Sequence, residues 1–215
     1  MNVRQPVDRF KSLLASLNGD GRYGFTLVAL CVLLLLPELA GEWARAGLSY
    51  QRTAIAAGEW WRFATAHVVH LDLEHALLNT LGLVLMWSLF ARDYRPREWL
   101  VILAVVLAGI DAGLWLRDTN VAWYVGASGA LHGIMTAGTV AHVRRGDLDG
   151  WILAVFVVAK LSYEQWNGAL PFNESGEPVV VNAHLYGALA GLAAGLAFRP
   201  QRPPEQEPQP ERPQP

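Results

Sequence analysis

The chain has 215 residues, of which 53% are hydrophobic and only 17% are charged, whereas a soluble domain has about 25% charged residues. The formal net charge of -2 excludes a strongly basic nucleic-acid-binding protein, and the low charge content excludes a highly charged disordered chain. The single cysteine, Cys31, allows neither an internal disulfide nor a cysteine-based zinc site. Nine tryptophans in so short a chain are typical of contact with membrane interfaces.

The charged residues are confined to short segments that alternate with apolar stretches. A membrane-spanning helix needs roughly 20 apolar residues, with a range of about 17–25. The pattern predicts six such spans, at residues 22–40, 73–91, 98–116, 128–143, 151–167 and 183–198. A β-barrel would instead show alternating segments of about 10 residues. We therefore expect an all-α, polytopic membrane protein with a six-helix bundle.

The positive charges predict how the spans are oriented. If both termini are cytoplasmic, 12 of the 17 Lys and Arg residues fall in cytoplasmic segments, 4 fall in external loops, and Lys160 lies within the fifth span. This asymmetry follows the positive-inside rule. We expect a cytoplasmic segment at 1–21, a membrane domain at 22–199 and a disordered, proline-rich cytoplasmic tail at 200–215. A cleaved signal peptide over the first span is an alternative, but its removal would leave an odd number of helices.

Polar residues inside apolar spans are costly and are functional candidates by default. In this chain they gather at the starts of the second, fourth and sixth spans, which all begin on the external side in the predicted topology. They are His70, His75, Asn79, Ser128, His132 and His184. His75 and Asn79 are four residues apart, as are Ser128 and His132, so each of these pairs shares one helix face.

Small residues on the fourth and sixth spans would allow these two helices to approach closely. The glycines of these faces are Gly129, Gly133, Gly187, Gly191 and Gly195. Close packing would bring Ser128 within hydrogen-bonding reach of His184, at about 2.6–3.2 Å.

These polar side chains predict a nucleophilic centre. A serine hydroxyl is a weak nucleophile until a neutral histidine accepts its proton, so Ser128 and His184 are predicted to form a catalytic dyad. The oxyanion that forms needs hydrogen-bond donors already aimed at it. The Asn79 amide, a ring nitrogen of His75 and the backbone N–H of Ser128 can supply them.

The apolar stretches at 99–116 and 151–166 contain three charged residues, which need partners there. Asp111 and Glu164 are candidates for orienting His184, and neither is assigned to that role. Lys160 and Glu164 stand one helical turn apart, which is typical of a structural ion pair. The three charges could also serve a transporter, but six helices without a visible repeat do not favour that class.

Two other classes of membrane protease fit less well. His67, His70 and His75 crowd together as metal ligands would, but the chain has no HExxH motif. An aspartyl protease needs two carboxylates, and Asp111 is the only aspartate within a span. We therefore expect neither a metal nor another cofactor.

The motifs occur in an order that resembles the rhomboid family of intramembrane serine proteases. The matching pieces are GEWWR at 58–62, His70, His75 and Asn79, GASG at 126–129, and HLYGALAG at 184–191. The resemblance implies a hydrated cavity that is open to the external side. It also implies that substrates enter near the second and fifth spans, under the loop 167–182. The implied reaction is cleavage of a peptide bond in or near a transmembrane segment of the substrate. The expected partners are transmembrane or C-terminally anchored protein substrates and the lipid bilayer, without nucleic acid. The residues expected to support the site are His132, Gly126, Gly129 and Gly187.

One position departs from the pattern of many rhomboids, which carry an aromatic residue four positions after the nucleophile, packed on the catalytic histidine. Here that residue is His132, and the motif SGALHG at 128–133 is similar to the rhombosortase branch. This branch is associated with bacterial surface proteins that bear a C-terminal Gly-Gly, helix and basic-cluster tail, so the resemblance implies a bacterial inner membrane. A general rhomboid protease with other transmembrane substrates is the alternative. An inactive, client-binding relative would lack Ser128 or His184, and both are present.

Overall fold

The computed structural model describes residues 21–169 and 179–201. Over these ranges the chain is mostly helical. The helices are α1 (Gly21–Leu35), α2 (Gly41–Leu48), α3 (Arg52–Ala56), α4 (Arg62–Thr65), α5 (Leu73–Phe90), α6 (Pro96–Leu116), α7 (Ser128–Arg145), α8 (Leu148–Asn167) and α9 (Val181–Ala197). A 3-10 helix at Leu36–Ala40 joins α1 to α2, and the strands β1 (Tyr50–Gln51) and β2 (Trp123–Tyr124) pair antiparallel.

The six long helices α1 and α5 to α9 lie within a few residues of the six predicted spans. The helix α1 ends before residue 40, the predicted end of the first span, because Pro37 cannot donate a backbone hydrogen bond and the chain continues as a 3-10 helix. Among the described residues, the segments long and apolar enough to cross a membrane are Tyr23–Leu48, Leu73–Phe90 and Pro96–Leu116, and α9 is apolar but shorter. Together these helices form the polytopic bundle of a membrane protein.

Helix α7 is the centre of the bundle, which explains why hydropathy alone does not select it as a span. Most of its residues are small or polar and are buried against the neighbouring helices. The outer faces of α5 and α8 carry exposed leucines, valines and aromatic residues instead, as surfaces in contact with lipid do. The bundle therefore has a central helix of small and polar residues, surrounded by helices with apolar outer faces.

Helices α7 and α9 approach closely enough for their backbones to touch, as the glycine faces predict. A Cβ on Gly187 would collide with the carbonyl oxygen of Gly129, and a Cβ on Gly191 would collide with that of Gly133. Only glycine fits at positions where one backbone packs directly on another. This contact sets how far Ser128 is from the first turn of α9.

The segment between α1 and α5 packs against the chain that leads into α7. Buried Arg62 donates hydrogen bonds to the carbonyls of Ser49, at 2.8 Å, and Ala46, at 2.9 Å. Tyr50 pairs with Tyr124 in the two-stranded sheet, and the N–H of Gly126 donates to the carbonyl of Ala66 at 2.9 Å. These bonds fix the chain immediately before Ser128.

Tyr94, which lies between α5 and α6, links the middle of α7 to the last turn of α9. Its hydroxyl donates to the carbonyl of Ala137 or Gly195, at 3.0 and 3.1 Å. Burial raises the pKa of Tyr94 to about 12, so the hydroxyl keeps its proton at neutral pH. The hydroxyl therefore contacts both helices at the level of Ala137 and Gly195.

The predicted N-terminal segment up to residue 20, the proline-rich tail from residue 202 and residues 170–178 of the loop 167–182 lie outside the described residues.

Candidate active site

Ser128 is the first residue of α7, immediately after a turn that requires glycine. Gly126 has a φ of 114°, a conformation that side-chain-bearing residues rarely adopt. A Cβ at this position would also lie 3.0 Å from Cε1 of His75. The GASG sequence therefore lets the chain turn from β2 into α7 while passing close to the His75 ring.

Ser128 and His184 meet across the contact between α7 and α9. The Ser128 Oγ lies 2.9 Å from Nε2 of His184, within hydrogen-bonding distance. His184 lies in the first turn of α9 and only 6% of its surface is exposed. The predicted proximity of these two residues is present in the structure.

The other ring nitrogen of His184 faces a carboxylate from α8. Nδ1 of His184 lies 3.1 Å from Oε2 of Glu164, and Oε1 of Glu164 lies 2.6 Å from Nζ of Lys160. Of the two acids considered from the sequence, Glu164 is thus the one beside His184. Asp111 lies elsewhere, with its Oδ1 3.2 Å from Nε2 of His67.

His132 covers one face of the His184 ring. The two imidazoles are stacked, with centroids 4.2 Å apart and planes inclined by 13°. Nδ1 of His132 lies 2.7 Å from the Ser128 carbonyl oxygen, so Nδ1 carries the hydrogen of that bond. His132 therefore contacts both the Ser128 backbone and the His184 side chain.

His75 and Asn79 lie on the opposite wall, on α5. The His75 Nδ1 accepts a hydrogen bond from the Leu71 N–H at 3.5 Å, and a Cβ on Gly126 would lie 3.1 Å from His75 Nε2. One hydrogen of the Asn79 amide is donated to the His75 carbonyl at 3.0 Å. An amide has two hydrogens, so a second one remains for another acceptor.

A cavity of about 840 Å³ connects these residues. Its polar lining includes His75, Asn79, Ser128, His132 and His184. Apolar side chains line the rest of the wall, namely Leu71, Leu78, Val121, Val125 and Leu131. These five polar residues thus line one common space large enough for an extended peptide segment, whereas the predicted glycines Gly126, Gly129 and Gly187 are not part of its lining.

His70 is close to this site but does not line the cavity. It is fully buried, and its ring packs edge-on against His75 with centroids 5.2 Å apart. Burial, with a smaller contribution from neighbouring His75, lowers the pKa of His70 to about 4. His70 therefore packs behind His75 as a neutral ring.

A known protein family matches the part of the chain that contains these residues. The Rhomboid domain family matches residues 57–201, which include every site residue described above. The chain belongs to the rhomboid family. Rhomboid protease GluP of Bacillus subtilis (strain 168) is 32% identical over 141 residues, which are 63% of this chain and 27% of GluP. The rhomboid protease candidate YdcA of the same organism is 25% identical over 140 residues, 64% of this chain and 67% of YdcA.

This rhomboid chain therefore spans about a quarter of the length of GluP and two thirds of that of YdcA. Rhomboid family proteins are usually intramembrane serine proteases. The matched region begins within the segment before α4 and ends after α9, so it contains the pairing of Ser128 with His184.

The donor atoms of His132, Glu164 and His184 come within 4.8 Å of one another, a spacing that could hold a metal ion. Their geometry and partners do not favour one. Both nitrogens of His184 and both oxygens of Glu164 already have hydrogen-bond partners in the rhomboid site. The rings of His132 and His184 are also stacked and nearly parallel. Their nitrogen lone pairs therefore lie in two nearly parallel planes and do not point towards one position for a metal ion.

The association of Glu164 with His184 is the main feature that the sequence does not assign. The available signal was the Lys160–Glu164 spacing, which places the two charges on one helix face. That spacing does not reveal which neighbouring helix the face meets.

Proposed function

We propose that this rhomboid protein is an intramembrane serine endopeptidase that cleaves membrane-anchored proteins. Ser128 is the nucleophile and His184 is the general base. The observation that carries the proposal is the 2.9 Å distance between Ser128 Oγ and His184 Nε2 at the wall of a common cavity.

The chemistry requires a base that takes a proton from the nucleophile and passes it to the leaving group, in each of two steps. Ser128 Oγ attacks the carbonyl carbon of the scissile peptide bond while His184 Nε2 accepts the hydroxyl proton. The tetrahedral intermediate collapses, the C–N bond breaks, and His184 returns the proton to the leaving amine. Water then attacks the acyl ester, with His184 again as base, and releases the carboxylic acid product and the free Ser128 hydroxyl.

The negative charge of the tetrahedral intermediate needs donors on the opposite side of the cavity. The second Asn79 amide hydrogen and the His75 ring can supply two of them. A third is the Ser128 N–H, which has no acceptor within its own helix because Ser128 begins α7. Donors from α5 and α7 would thus act on the same oxyanion.

We also propose a substrate class and a membrane location for this protein. We propose proteins with a C-terminal Gly-Gly, helix and basic-cluster tail as substrates, as in the rhombosortase branch. The support is the SGALHG motif at 128–133 and the contact of His132 with His184. From the resemblance to this branch we propose a bacterial inner membrane, and from the charge asymmetry we propose cytoplasmic termini and an active site in the outer half.

The proposal is tested by expressing a tagged Gly-Gly-tail substrate in membranes together with the wild type, Ser128→Ala or His184→Ala. A serine control is Ser88→Ala, since the Ser88 hydroxyl donates within α5 to the Val84 carbonyl and does not line the cavity. We expect cleavage by the wild type and Ser88→Ala, and none by the other two variants. Cleavage by Ser128→Ala would exclude the proposed nucleophile.

A second substrate distinguishes a rhombosortase, which would recognise the Gly-Gly tail, from a general rhomboid protease. Replacing the Gly-Gly pair by Leu-Leu should abolish cleavage if the tail is recognised. Equal cleavage of both substrates would indicate a general rhomboid protease. Absence of cleavage of any substrate, with binding of the substrate retained, would indicate a client-binding protein.

A further inference from the structure

We propose that Glu164 is a positioning residue for His184, so that the site works as a Ser–His–Glu triad in which Lys160 determines how the acid is presented. This inference rests on the proposed function, because it describes how His184 is prepared to act as a base. It adds a residue from a fourth helix, α8, to a site otherwise built by α5, α7 and α9.

The four side chains form one continuous chain of contacts. Ser128 Oγ is 2.9 Å from His184 Nε2, and His184 Nδ1 is 3.1 Å from Glu164 Oε2. Glu164 Oε1 is 2.6 Å from Lys160 Nζ. His184 and Glu164 are only 6% and 3% exposed, so water cannot easily replace these partners.

The contact with Glu164 decides which nitrogen of His184 carries the hydrogen. A carboxylate can only accept hydrogen bonds, so Nδ1 of His184 must be the donor. In a neutral imidazole the other nitrogen, Nε2, is then an unprotonated acceptor. That is the tautomer in which Nε2 can take the proton of Ser128.

Lys160 has a separate effect, because an ammonium group can only donate hydrogen bonds. It occupies one carboxylate oxygen and leaves the other for His184. It also supplies the opposite charge that a buried carboxylate needs. The pair Lys160–Glu164 therefore presents an acceptor, and only an acceptor, to Nδ1 of His184.

This arrangement makes an unusual prediction for Glu164→Gln. A glutamine amide has one acceptor oxygen and one donor NH₂ group. Lys160 would take the oxygen, so the NH₂ group would face Nδ1 of His184 and favour the hydrogen on Nε2. Ser128 would then have no base, although the substituted side chain has nearly the same shape.

Removing the lysine should reverse that defect. In Lys160→Met/Glu164→Gln the amide is free to rotate and can present its oxygen to Nδ1 of His184. The matched control is Lys160→Met/Glu164→Leu, which also buries no charge but has no acceptor. A purely structural ion pair predicts no difference between the two double variants.

The experiment uses the full chain, labelled with ¹⁵N-histidine, in lipid nanodiscs. Nitrogen chemical shifts give the tautomer of His184, which is assigned by comparison with His184→Ala. The rate at which a fluorophosphonate probe labels Ser128 gives the reactivity of the hydroxyl. Thermal unfolding identifies any variant that does not fold.

We expect the hydrogen on Nδ1 in the wild type and on Nε2 in Glu164→Gln, with labelling of the latter slower by at least about 100-fold. We expect Lys160→Met/Glu164→Gln to carry the hydrogen on Nδ1 and to be labelled at least about 10-fold faster than either Glu164→Gln or Lys160→Met/Glu164→Leu. The inference is overturned if Glu164→Gln keeps the wild-type tautomer, or if the two double variants are labelled equally.

A failure of folding and a failure of the proposed protease function can each be distinguished from a failure of the Glu164 inference. If Glu164→Gln does not fold, the two uncharged double variants still decide the question. If the wild type is not labelled at Ser128, the proposed protease function fails, and the tautomer alone decides whether Glu164 positions His184.

Discussion

The imidazole of His132 lies flat against that of His184, with ring centroids 4.2 Å apart and planes inclined by 13°. The same ring donates through Nδ1 to the carbonyl of Ser128 at 2.7 Å. The residue one turn after the predicted nucleophile therefore holds the predicted base in place. It occupies the position at which many rhomboids carry an aromatic residue.

The stacking predicts that His132 can be replaced by another flat ring but not by a small side chain. Stacking of rings is worth about 0.5–1.5 kcal/mol beyond burial. We expect His132→Ala to lower kcat/KM about 10-fold and His132→Phe to keep it within about 3-fold of the wild type. Equal losses in both variants would show that the imidazole nitrogens, and not the ring face, are what the site needs.

The amide of Asn79 is predicted to stabilise the oxyanion. Removing one such donor typically lowers kcat by about 10²–10³-fold. We therefore expect Asn79→Ala to lower kcat about 100-fold with little change in KM. The matched control is Thr80→Val, since the Thr80 hydroxyl also donates to a carbonyl within α5, that of Ala76 at 2.8 Å, but does not line the cavity. A similar loss in Thr80→Val would attribute the effect to α5 stability.

The contact between α7 and α9 predicts a steric defect at Gly187. A Cβ there would meet the carbonyl of Gly129, the residue after Ser128, and would force the two helices apart. We expect Gly187→Ala to lower both the thermal stability and kcat, the latter by at least about 10-fold, because reacting groups tolerate little displacement. Gly24→Ala in α1 is the control, since nothing lies within 4 Å of a Cβ there. Wild-type activity of Gly187→Ala would contradict the close packing.

His70 predicts a loss of stability in mild acid. Its pKa is about 4 in the folded protein, against 6.5 for an unperturbed histidine, because the ring is buried. The unfolded chain therefore binds more protons between these values, and stability falls as the pH drops from 6.5 to 4, by about 1.4 kcal/mol per pH unit. We expect His70→Leu to show a shallower fall in Tm over this range. Parallel Tm curves for the two proteins would exclude His70 as the cause.

The membrane helices could be predicted because their signal is local. A charge-free stretch of sufficient length indicates a helix wherever it packs, and the glycine faces of α7 and α9 indicate a close contact. The same reasoning places Ser128 near His184, since each stands at the start of its helix. These inferences need only the spacing of residues within one helix.

The partners of the charged residues could not be predicted in this way. Glu164 contacts His184 only because the face of α8 that bears it is turned towards α9. Asp111, on α6, contacts His67 instead. The sequence does not predict the helices α2 to α4 either, because the conformation of this segment depends on hydrogen bonds to residues that are distant in sequence. An example is the guanidinium of Arg52, which donates to the Trp115 carbonyl at 3.2 Å.

The most direct test of the account is whether Ser128 is a reactive nucleophile that depends on His184. The purified full chain is treated with a fluorophosphonate probe, and the modified residue is identified by peptide mapping. We predict an adduct on Ser128 in the wild type, with labelling at least about 100-fold slower in His184→Ala. A folded wild-type protein without an adduct on Ser128, or equal labelling rates in the two proteins, would contradict the account.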